Sequence, residues 1–124
     1  MVTIEVRVGD PLIPGDVNKI TVPGFKTDSP HIIVHRVILH EYDKRLAVLE
    51  GGNYPRWMMS HVETGMKLTP PHKCFSNRKD AVDCANDVAH LKWDFDEKSM
   101  PYWGEIQELG FAIASAGKET LRYV

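Results

Sequence analysis

The hydrophobic period of the sequence changes at Pro70-Pro71, and that change restricts the fold more than any other feature. Upstream, Val2, Ile4, Val6 and Val8 alternate with Thr3, Glu5 and Arg7, the period of two that turns one face of a strand toward a core. Residues 19–22 form a second short strand that Pro23-Gly24 ends. Residues 31–42 are dense in β-branched side chains and apolar on both faces at their centre, the pattern of a central strand covered on both sides. A polar turn at 42–45 leads to a return strand at 46–49. Residues 56–62 and 66–68 then flank Glu63-Thr64-Gly65, where glycine supplies the positive φ of a tight hairpin.

Downstream of Pro71 the period is that of a helix. Ala81, Val82, Ala85, Val88 and Ala89 recur at helical spacing behind a cap at Ser76 or Asn77, predicting a helix of about 14 residues. A second helix is capped by Ser99, carries Pro101 in its first turn and the apolar stripe Ile106, Leu109, Gly110 and Ile113, and stops at Gly117. Residues 120–124 read as a short strand or extended tail. Strands first and helices last define an α+β fold: an antiparallel meander of about four to five strands with two C-terminal helices packed on one face. Residues 1–124 fit one domain.

Composition narrows the function classes. With 43% hydrophobic and 26% charged residues the chain has the balance of a folded domain. It has no run of about 20 apolar residues, and a strand pattern follows Met1, so the reading is a cytoplasmic protein with no membrane partner. Cys74 and Cys84 form no CxxC pair and read as reduced thiols. Charge is uneven: residues 26–80 hold nine Lys/Arg against six Asp/Glu, whereas residues 81–124 hold four against eight.

The motifs of common enzymes are missing. The glycines form neither GxGxxG nor a Walker loop, and no cofactor is expected. His31 and His35 stand four apart on a predicted strand, about 13 Å from one another, too far to share an ion, and no metal is expected. Ser60 and His61 are adjacent on a strand and point to opposite faces. No catalytic residue is therefore assigned; a pocket lined by His61, His72 or Cys74 would favour a small Cys/His enzyme instead. A nucleic-acid-binding sheet is a further alternative, because Arg36, Lys44, Arg45, Arg56, Lys67, Lys73, Arg78 and Lys79 are interleaved with Tyr42, Tyr54, Trp57 and Phe75. The acidic pI near 6.3 weighs against it.

Asp80, Asp83 and Asp87, spaced by three and four, line one face of the first helix opposite its apolar stripe. Like charges so placed destabilise a helix by a few tenths of a kcal/mol per pair. With Asp94 and the acidic residues that follow, they give this end of the molecule a negative field suited to a basic protein surface. Trp57 and Trp103 are the aromatic anchors for such a contact.

Residues 56–91, RWMMSHVETGMKLTPPHKCFSNRKDAVDCANDVAHL, place a Trp-containing strand, an SHxxTG hairpin, a Phe and an Ala-spaced helix in that order. This stretch resembles small accessory proteins of bacteriophages and prophages, a group that includes anti-CRISPR inhibitors. The resemblance implies a non-enzymatic inhibitor that docks on a host nucleic-acid-handling or defence complex.

Overall fold

A computed structural model describes residues 2–8, 18–36, 56–70 and 73–123. Among the described residues, six strands form one antiparallel sheet in chain order: β1 (Val2–Val8), β2 (Asn18–Lys26), β3 (Ile32–Arg36), β4 (Trp57–His61), β5 (Lys73–Phe75) and β6 (Leu121–Tyr123). Helices α1 (Arg78–Asp87) and α2 (Trp103–Ala116) lie between β5 and β6. The α+β class, the C-terminal position of the helices and a short strand within residues 120–124 agree with the sequence, but one outer element, β5, is not marked in it. β5, three residues long, is too short to give a period, and β6 returns after the helices to pair with it through Phe75↔Leu121. The return strand at 46–49 and the turn before it lie outside the described residues.

Pro23-Gly24 does not end β2. Here the strand pairs only with β1, Thr3 opposite Pro23 and Val2 opposite Gly24, so the missing proline N–H breaks no ladder toward β3. Gly24 is needed for close packing: a Cβ there would lie 2.2 Å from Ile33 Cγ2. Gly65, with φ 71°, closes the hairpin after β4, and His61 N–H and Leu68 N–H bond to the carbonyls of Met66 and Met59.

Strand alternation sorts the side chains of β3 and β4 to two faces. Ile32, Val34, Met59 and Phe75 meet Ala81, Cys84, Ala85 and Val88 of α1 in the main core, which Trp93, Phe95, Ile113 and Leu121 complete. Ile33 joins Ile4 in a smaller cluster on the opposite face, with Val2, Val22 and Val62 against it. Asn77 is the α1 cap, its Oδ1 accepting Asp80 N–H at 2.8 Å. The helix ends at Val88, short of the expected length, because the Val88 carbonyl turns to accept the Trp93 indole N–H at 2.8 Å.

Ser99 does not cap α2. Its N–H and hydroxyl are both bound to Asp96 Oδ1, and the helix begins two residues after Pro101, with Tyr102 at the cap position. Gly117 ends it as expected. Helix α2 packs on α1, and Ile113, its one fully buried side chain, joins the main core. No helix among the described residues is long and apolar enough to cross a membrane.

Candidate functional site

The sheet register assembles two histidine clusters. Ile33 pairs with Ser60, so His35, two residues along the same face, reaches the Ser60 hydroxyl: Nε2 to Oγ is 2.7 Å. His35 Nδ1 lies 2.7 Å from the Arg36 carbonyl, which can only accept. The proton therefore sits on Nδ1, and Nε2 accepts from Ser60. Both side chains are buried, and burial pushes the His35 pKa below the ordinary histidine value against the raising effect of the Arg36 carbonyl. The geometry is that of a serine–histidine pair with a backbone carbonyl as its third member, closed off from solvent at Ser60 (1% exposed).

On the helical face, His61 pairs with Ile32 and is wholly buried. Its Nε2 donates to the Trp93 carbonyl at 2.7 Å, and its Nδ1 accepts the Thr64 hydroxyl at 2.9 Å. Glu63 bridges outward, one carboxylate oxygen 3.3 Å from His61 Nε2 and the other bound to His31 Nδ1. Phe95 stacks on His61 with ring centroids 4.2 Å apart. Ser60 and His61 thus face opposite sides, as alternation requires, and each finds a histidine partner or carboxylate that only tertiary pairing reveals. No group of three or more His, Cys, Asp or Glu among the described residues is placed to hold a metal ion. His72 lies outside the described residues.

The thiols are buried and unpaired. Burial, with a smaller contribution from Asp87, raises the Cys84 pKa to about 11. Burial also raises that of Cys74, against the lowering effect of Arg56. At neutral pH both are inert thiols.

The six residues expected to meet a partner divide into four places. Trp57 is half-buried against the core, edge-on to Phe25 at 5.7 Å, with the Arg36 guanidinium 5.2 Å over its ring. Arg78 lies 4.2 Å over Phe25 and Lys73 5.0 Å over Tyr123, so these rings are already in contact with the chain's own cations. On α1, Asp83 is bound to Lys79 at 2.7 Å and Asp80 accepts the Asn77 amide at 3.0 Å, while Asp87 is exposed at the opposite end of the helix.

Asp94 and Trp103 lie around α2. Between residues 91–101 and the first half of that helix runs an open cleft of about 490 Å³. Trp93 and Phe95 are buried while Asp94 between them is exposed and lines the cleft, as do Glu105 and Glu108. At about 100° per residue, Glu105 and Glu108 stand on one flank of α2, and Trp103, Gln107, Gly110, Phe111 and Ala114 on the other. Trp103 is 68% exposed and Phe111 70%, and the position of a Gly110 Cβ is in open space. Helix α2 thus offers one acidic and one uncharged flank. No protein family, curated protein or solved structure matches the chain.

Proposed function

We propose that this chain is a non-enzymatic binding protein that docks on a basic protein surface, in the manner of a phage-type inhibitor of a host nucleic-acid-handling or defence complex. The observation that carries this reading is the display on α2: two large apolar side chains, Trp103 and Phe111, stand about 70% exposed on an uncharged flank beside an acidic one. Exposed aromatics of this size are the residues that dominate contact energies when a partner buries them. The basic character of the partner follows from charge complementarity, since residues 81–124 carry eight acidic against four basic side chains and Asp83 and Asp87 face outward.

Two further features support docking over the alternatives. Trp57 and Phe25 are covered by Arg36 and Arg78, which leaves less of each ring for stacking bases. The hydroxyl of Ser60 and both thiols, the nucleophiles of an enzyme reading, are buried.

The test is capture from a bacterial lysate with tagged wild-type protein, a Trp103→Ala/Phe111→Ala variant and an Asp80→Asn/Asp83→Asn/Asp87→Asn variant, each with and without nuclease and at raised salt. The expected result is a nuclease-resistant, salt-sensitive protein recovered by wild type and lost from both variants. Recovery that vanishes with nuclease, or that all three proteins share, overturns the reading.

A further inference from the structure

We propose that the cleft between residues 91–101 and α2 binds a short peptide segment of the partner carrying a lysine or arginine, whose aliphatic stem lies against the apolar lining and whose charge meets the carboxylates. The inference rests on the docking reading and specifies its contact. The cleft's apolar lining comes from Leu91, Phe95, Pro101 and Leu109. The same lining holds three carboxylates, Asp94, Glu105 and Glu108, against the one ammonium of Lys92. A lining that combines apolar side chains with carboxylates matches the two-part chemistry of lysine and arginine, a methylene stem with a cationic tip. A carboxylate pair also accepts an arginine fork in two parallel hydrogen bonds.

The walls are held in place before any ligand arrives. The Trp93 indole is fixed to the Val88 carbonyl, and Phe95 is stacked on the buried His61. Asp96 Oδ1 ties down Lys98 N–H, Ser99 N–H and the Ser99 hydroxyl, which closes the turn at the far end of the wall. The opposite wall is a helix. A partner therefore orders its own segment without having to order the site, which lowers the entropy cost of binding. The volume of about 490 Å³ falls in the range of small-ligand sites and suits a few residues rather than a whole helix.

The first probe is a blocked tetrapeptide, acetyl-Leu-Arg-Leu-Lys-amide, titrated into isotopically labelled protein and followed by backbone amide shifts. Spermidine serves as a probe of charge alone, and the peptide with Glu for Arg and Lys as a control. We expect saturable shifts confined to residues 91–109, at least tenfold weaker binding of spermidine, and none by the acidic peptide. A Glu105→Gln/Glu108→Gln variant, altered only at exposed positions, should bind the basic peptide at least tenfold more weakly; Glu119→Gln, exposed and outside the cleft lining, should bind it unchanged. Equal affinity of wild type and the Gln variant, or of peptide and spermidine, or no saturable binding, overturns the inference. If the lysate partner is lost from the Trp103→Ala/Phe111→Ala variant but kept by the Gln variant, docking stands and the cleft assignment fails. If the cleft binds the peptide as expected but the protein captures nothing from the lysate, the cleft assignment stands and docking fails.

Discussion

Replacing Gly24 by alanine tests the packing of β2 on β3 directly. Gly65 is the one glycine with positive φ among the described residues, so alanine at 24 meets no backbone strain. It meets atoms instead: the added Cβ falls 2.2 Å from Ile33 Cγ2 and 3.2 Å from the Val34 carbonyl oxygen. Ile33 is 5% exposed and packed with Ile4, so its side chain has little room to yield. Overpacking of this kind costs about 1–3 kcal/mol. Ile33→Ala alone should cost about 2–5 kcal/mol through lost burial and a cavity. In that background the 2.2 Å contact no longer exists, only the milder approach to Val34 remains, and Gly24→Ala should then cost under about 1 kcal/mol. Urea unfolding of the four proteins, followed by circular dichroism and fitted with a common m-value, measures each effect. If Gly24→Ala costs as much in the Ile33→Ala background as in the wild type, or costs nothing in the wild type, the steric argument is wrong.

Three other expectations come from single contacts. Asn77→Ala removes the acceptor for Asp80 N–H and should lower stability by about 1 kcal/mol in the same urea assay. Gly110→Ala puts a methyl where no atom lies within 4 Å and should raise stability by about 0.5–1 kcal/mol, since alanine is the better helix former. His35 is held neutral by burial, so its folded pKa lies below the ordinary 6.5 of the unfolded chain. Its contribution is complete above pH 6.5 and falls away as the unfolded state takes up a proton below that value. The urea midpoint should therefore drop between about pH 7.5 and about pH 5.5, and His35→Asn should shrink that drop; an unaltered drop would show that other groups cause it.

What could be read from the sequence is what local physics decides. The alternation of β1, the turn at Gly65, the Asn77 cap and the stop at Gly117 each depend on a few neighbouring residues, and each is found in place. Pro23-Gly24 has the composition of a break, but Gly24 serves a contact with Ile33 that only the folded sheet creates. Ser99 has the chemistry of a cap, and Asp96 claims it for a turn. For the site, the residue types were legible and their grouping was not. The Ser60–His35 pair and the Glu63 bridge between His31 and His61 depend on the β3–β4 register. The two flanks of α2 were available from helical spacing alone, yet Ile106 and Leu109, expected to be buried, are only partly covered.

The pairing of Phe75 with Leu121 has a kinetic consequence. Among the described strands, β5 and β6 pair across the longest stretch of chain, the residues 76–120 that hold both helices. Helix formation takes microseconds or less, and closing the wider loop is slower because its entropy is lost before the ladder compensates. β6 should thus dock last and open first, making hydrogen exchange at Arg122 and Tyr123 faster than at Val34 or Met59. When it opens, β5 becomes the free edge of the sheet, and the backbone of Cys74, paired with Arg122 in the closed form, is left without that partner.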